Sequence, residues 1–189
     1  MSNLAESLTL QKQIDSIIQG FQLFIQVFLP YFGMLAVIWV AKLLWRRYQQ
    51  KQSKILAANW NFSDIDQMDG LAFEKFCGVL LKNLGCSQIR LTPTVGDYGI
   101  DVLAVTKSGR NIGLQCKRYR NQVGIRAIQE AYSGKAFYRL EEVYVVTNSH
   151  FTVAARKMAL RNDVQLVDRE KLLKWLKAAQ RNAAKEIGK

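Results

Sequence analysis

The sequence has a single histidine, His150, which excludes any mechanism that needs two. Its three cysteines, Cys77, Cys86 and Cys116, are an odd set without metal-ligand spacing, so neither a zinc site nor a disulfide framework is expected. Reduced, partly buried thiols in a cytoplasmic domain are the reading. Acidic residues are scarce: 15 Asp+Glu stand against 27 Lys+Arg, for a formal net charge of +12. Such an imbalance favours a polyanion, either nucleic acid or an anionic membrane surface. Repeats and low-complexity tracts are missing too. The start is not basic, and no small-residue cleavage site follows the first apolar run, which argues against a removed signal peptide.

That apolar run is long. Positions 27–41 contain no charged or amide side chain, and extension to Ile17 and Trp45 gives enough helix to cross a bilayer. Lys42 can snorkel to one interface, and Tyr31, Trp39 and Trp45 suit interfacial belts. Arg46, Arg47, Lys51 and Lys54 follow with no acidic neighbour, whereas Lys12, Glu6 and Asp15 precede the run. The positive-inside rule then orients a single-pass plasma (inner) membrane anchor with its N-terminus outside and its C-terminal domain in the cytoplasm. The expected organisation is a short segment 1–16, a transmembrane helix 17–45, a basic juxtamembrane helix or linker 46–60, an α/β domain 61–179 and a basic tail 180–189.

Within 61–179, five strands are expected at 87–92, 102–106, 112–117, 143–147 and 164–167, interspersed with helices, giving a mixed sheet flanked by helices. The continuous apolar run 143–147 reads as a buried strand parallel to a neighbour. A helix from Leu71, with Phe73, Phe76, Cys77, Leu80, Leu81 and Leu84 inward, ends at Gly85. Residues 63–69 are acidic and turn-like. A second helix, 125–140, should turn Ile128, Ala131, Tyr132 and Phe137 inward. Thr152 caps a third, and Asp168 caps a last helix over 171–179.

The hairpin 102–117 carries the chemistry. Folding about Ser108 and Gly109 brings Asp101 alongside Gln115 and Lys117, which share one face because side chains alternate along a strand. A carboxylate and an amide oxygen suit a hard cation such as Mg²⁺, with Mn²⁺ as a substitute. An ammonium beside them can orient a water, help deprotonate it, or offset charge as a phosphoryl group reacts. Arg118, Tyr119, Arg120 and Arg126 then supply cations interleaved with an aromatic, a pattern that suits phosphate contact and base or sugar stacking.

The run Gly96-Asp97-Tyr98-Gly99-Ile100-Asp101, then Leu114-Gln115-Cys116-Lys117-Arg118-Tyr119, then Val123-Gly124 and Ile128-Gln129, resembles the Mrr-type restriction endonuclease branch of the PD-(D/E)-x-K nuclease superfamily. The resemblance covers about residues 68–175, with Met68-Asp69-Gly70 and Phe73-Glu74 upstream and Val145-Val146-Thr147-Asn148-Ser149 downstream. It implies a restriction-endonuclease-like α/β core, Asp101 and Gln115 at a metal, and Lys117 at the nucleophilic water. It also implies Glu74 as a further metal ligand and Gln129 as an accessory polar residue. Ile100 stands where the superfamily has its proline, and Gln115 stands where it has an acid, which removes one negative charge from the site.

The expected function is a membrane-anchored, Mg²⁺-dependent DNA endonuclease in restriction of foreign DNA, a homodimer when it cuts both strands. The alternative is a non-cleaving DNA-binding membrane tether that keeps the nuclease fold. RNA as the substrate is left open by the sequence.

Overall fold

A computed structural model describes the backbone of residues 2–93, 96 and 98–187, and the side chains of 16–45, 60–93, 96 and 98–185. The chain divides into two compact units, Met1–Gln50 and Lys51–Lys189. The first is built on helix α1, Ser2–Asn59. Its stretch Ser16–Trp45 is 30 residues long, and it is the one described helix long and apolar enough to cross a membrane. Large apolar side chains are exposed on every side of it, among them Phe21, Leu29, Phe32, Val37 and Trp39. Pro30 lies inside the helix without ending it. The side chains of Arg46, Arg47, Lys51 and Lys54 lie outside the described residues.

After the end of α1, the second unit continues with α2, Phe62–Gln67, where a turn was expected. The reason is local: the Asp64 carboxylate accepts from the Asn61 N–H at 3.0 Å and so satisfies a donor at the helix start. Helix α3, Gly70–Asn83, begins on Asp69, whose side chain accepts from Ala72 N. It buries Phe73, Phe76, Cys77, Leu80 and Leu81, the stripe read from the sequence. Gly85 follows at φ +95° with its N–H on Lys82 O, the left-handed ending that glycine permits.

The strands are β1 Ser87–Leu91, β2 Val102–Val105, β3 Asn111–Lys117, β4 Glu142–Thr147 and β5 Val164–Val167. They form one mixed sheet in the order β1-β2-β3-β4-β5. The first three are antiparallel, and β3, β4 and β5 are parallel. Parallel neighbours need crossovers. Helix α4, Ile125–Phe137, links β3 to β4, and α5, Val153–Arg161, links β4 to β5. Thr152 caps α5 by accepting from Ala155 N.

Alternation divides the sheet cleanly. Val102, Ala104, Ile112, Leu114, Cys116 and Val146 join the α3 side of the core together with Leu172, Leu176 and Ala179 of α6, Arg169–Ile187. Leu103, Val143 and Val145 join Ala127, Ile128, Ala131 and Ala155 on the α4 and α5 side.

Two expectations are corrected. Tyr132 and Phe137 of α4 are exposed, because its buried stripe consists of Ala127, Ile128, Ala131 and Gly134; Phe137 instead stacks on Tyr98 with ring centroids 3.7 Å apart. The final helix does not end at Ala179. Gln180 donates to Trp60 O, Asn182 donates to Asn83 O, and Ala183 is buried, so the described tail continues the helix to Ile187.

Candidate active site

Asp101 precedes β2 by one residue, and its backbone is held from both sides. Its N–H donates to Leu114 O at 2.8 Å and its carbonyl accepts from Thr92 N at 3.0 Å. Val102 pairs with Leu114, which sets Asp101 across from Gln115. The side chains meet: Gln115 Nε2 donates to Asp101 Oδ2 at 2.8 Å, and Cys116 N donates to the same oxygen at 2.5 Å. Asp101 and Gln115 are buried. Gln115 Oε1 is buried as well, with no hydrogen-bond partner among the protein atoms. A buried acceptor without a donor is costly.

Such an oxygen beside a carboxylate fits a hard divalent cation, which takes oxygen donors and needs no imidazole or thiolate. Among the described residues no cluster of three His, Cys, Asp or Glu could hold a metal ion.

Lys117 lies two residues beyond Gln115, on the same face of β3. Its Nζ meets Glu130 Oε2 of α4 at 2.8 Å, while Glu130 Oε1 accepts from Arg126 Nε at 2.9 Å. Partial burial works against the Lys117 ammonium, but the Glu130 carboxylate outweighs it, with Tyr119 and Asp101 adding, and its pKa is raised. Burial likewise works against ionised Glu130, and Lys117 and Arg126 outweigh it, so its carboxyl is held below the usual range. Lys117 is therefore a cation at neutral pH.

Glu74 is half-buried on α3, the helix covering the other face of the sheet. Its charge reaches the Cys116 thiol, whose pKa is pushed well up by burial first, then by Cys77, Asp101 and Glu74. All three cysteines are free thiols.

The expected phosphate-binding residues part ways. Arg118 donates through Nε to Met68 O and is committed to the fold. Tyr119 is exposed, with its N–H on Asn148 Oδ1 at 2.9 Å. Arg120 is exposed at the rim of a pocket of about 360 Å³ shared with Asp66, Asn148, Ser149, His150 and Arg169. Arg126 projects into solvent while gripping Glu130, and Gln129 is exposed on the same helix. Asp97 of the turn before Asp101 lies outside the described residues.

Two features escaped the sequence reading. One is Glu130; its i, i+4 spacing from Arg126 was visible, but its contact with Lys117 was not. The other is a hub at the ends of β4 and β5. Arg169 pairs with both oxygens of Asp66 at 2.9 and 2.8 Å and donates to Asn148 O, with its guanidinium 4.2 Å from the Phe62 ring centroid. Asn148 Nδ2 donates to Asp66 Oδ1 at 2.8 Å. These contacts join residues 82 and 103 apart in sequence.

Residues 65–176 match the Mrr_cat family model, described as a restriction endonuclease. No curated protein matches the chain. Among solved structures, the chain is similar to the DNA modification-dependent restriction endonuclease AspBHI, at 19% identity and a TM-score of 0.49 over 74% of this chain and 39% of that one. It is similar to the MspJI restriction endonuclease in complex with a 27-mer oligonucleotide, at 18% and 0.39, covering 60% and 28%. The apo form of EndoMS follows at 15% and 0.40, covering 51% and 45%. The chain thus spans less than half the length of each of these three solved proteins.

Proposed function

The chain belongs to the restriction endonuclease family whose catalytic domain it carries at residues 65–176, and from that premise we propose that it is a divalent-metal-dependent DNA endonuclease held at a membrane by α1. The observation that carries this reading is the buried Asp101–Gln115 pair with its unsatisfied amide oxygen at the head of the hairpin.

Asp101 and Gln115 Oε1 would hold the cation, Mg²⁺ or Mn²⁺, with Glu74 of α3 assisting at the metal. The bound ion supplies a more acidic water and charge stabilisation at the phosphoryl oxygens. Lys117, kept protonated, would orient the attacking water and offset negative charge developing on the phosphodiester. Tyr119, Arg120 and Arg126 present a stacking ring and two guanidiniums to the backbone of DNA, Gln129 offers a polar contact beside them, and Arg118 holds their loop onto Met68. The overall charge of +12 adds long-range attraction for the polyanion. Cutting both strands calls for two such sites, hence a homodimer. The domain 61–179, which follows the basic flank 46–60 in sequence, faces the cytoplasm.

The test uses the full chain in detergent beside Asp101→Ala and Lys117→Ala, on supercoiled plasmid, linear duplex and single-stranded DNA, with Mg²⁺, Mn²⁺ or chelator. We expect metal-dependent nicking that each substitution lowers by about 100-fold or more. Equal, metal-independent DNA binding by all three proteins without cleavage would overturn the enzyme and leave a DNA tether.

A further inference from the structure

Helix α4 touches the site at one residue in two ways. The side chain of Glu130 holds Lys117, and its backbone abuts Gly99, the residue two before Asp101: a Cβ at Gly99 would lie 2.3 Å from Glu130 O. Gly99 has φ +82°, a conformation that suits glycine. Farther along, Gly134 packs against Ile100 and the carbonyl of Tyr98, where a Cβ would lie 2.4 Å and 2.8 Å from their atoms. The turn that aims Asp101 and the strand end that bears Lys117 are therefore referenced to the same helix.

Resting on the nuclease reading above, we propose that Glu130 is the positioning residue for Lys117, its carboxylate fixing the ammonium on the sheet face that carries Asp101 and Gln115. A lysine needs such a fixture. Its four-carbon stem samples many rotamers, and its ammonium lacks the planar fork that preorganises arginine. Glu130 is itself fixed, since Arg126, one turn earlier on α4, takes its other oxygen at 2.9 Å. A surface ion pair kept for stability alone would behave differently on removal, since such pairs contribute little. Here the loss should fall on turnover.

The experiment measures kcat and KM for plasmid nicking by the full chain in detergent, for wild type, Glu130→Gln, Glu130→Asp, Lys117→Ala and the Lys117→Ala/Glu130→Gln double variant. Melting temperatures are taken in parallel. Glu130→Gln should lower kcat by about 100-fold through misplacement of one group, with KM for DNA and the melting temperature unchanged. Glu130→Asp, which keeps the charge on a shorter stem, should recover part of the rate. In the residual rate of Lys117→Ala, adding Glu130→Gln should change nothing further. Wild-type kcat in Glu130→Gln, or multiplicative losses in the double variant, would overturn the inference, while a Lys117→Ala rate lowered by about 100-fold or more upholds the nuclease site. Wild-type cleavage by Lys117→Ala would instead overturn the role given to Lys117, and this inference with it. Should Glu130→Gln melt early, the same cycle with Glu130→Asp decides the question.

Discussion

Asp101 Oδ2 takes two N–H donors, one from a side chain and one from the backbone, whereas Gln115 Oε1 takes none. The glutamine preserves the oxygen of an acid at this position and gives up its charge. Around it, Asp101 and Glu130 are offset by Lys117 and Arg126, so the face is close to charge balance before any cation joins it. Asp66 shows the stabilising counterpart of such pairing. The Arg169 hydrogen bond, against burial and aided by Asn148, holds its carboxyl below the ordinary value. A carboxylate whose folded pKa is lowered contributes stability that is present above its unfolded pKa, near 3.9, and is lost as pH falls through the folded value. Both partners are over a third exposed, so solvent screening limits the pair to about 1 kcal/mol. Asp66→Asn should therefore destabilise the 51–189 unit at pH 7 by about that much, with the difference closing as the pH falls below the unfolded carboxylate range. Urea unfolding at pH 7, 5 and 3 checks this, and an undiminished difference at pH 3 would count against it.

Helix α4 shows where local pattern stops being informative. Its buried stripe is Ala127, Ile128, Ala131 and Gly134, and three of these four are small, which lets the helix approach Gly99 and Ile100 closely. Hydrophobicity favoured Tyr132 and Phe137 as inward residues, and close approach decided otherwise. Lys117–Glu130 depends on the same approach, so it could not be read from either segment alone. By contrast, β5, the Thr152 cap, the α3 stripe and the parallel placement of β4 follow from period, capping chemistry and an unbroken apolar run, all local properties. The alignment of Asp101 with Gln115 was equally legible, because a short turn fixes hairpin register. The continuation of α6 to Ile187 rests on contacts spanning 120 and 99 residues, beyond any local signal. Gly99→Ala probes the α4 approach directly. A Cβ at φ +82° and 2.3 Å from Glu130 O should cost about 1–3 kcal/mol and shift α4 from the turn, lowering cleavage together with the melting temperature. An unchanged melting curve would show that α4 is not seated on this turn.

At the scale of the molecule, the two units present surfaces of different polarity. A helix of 30 residues rises about 45 Å, more than the roughly 30 Å of bilayer hydrocarbon, so Ser16–Trp45 can span with tilt or with its ends in the headgroups. Positions 27–41 carry no charged or amide side chain, and an exposed apolar surface of this extent is a membrane or association surface. Electrostatic attachment through the basic flank and insertion of the helix differ in one respect: salt screens the first and leaves the second intact. The full chain should therefore stay with the membrane pellet through a high-salt wash and leave it only with detergent, while a chain beginning at Lys51 should be soluble. Orientation is read separately. With Arg46, Arg47, Lys51 and Lys54 on the inner side, protease should leave the 51–189 unit intact in spheroplasts and degrade it in inverted vesicles. Release by salt would reduce the helix to a peripheral contact, and cleavage in spheroplasts would put the nuclease domain on the wrong side of the membrane for intracellular DNA.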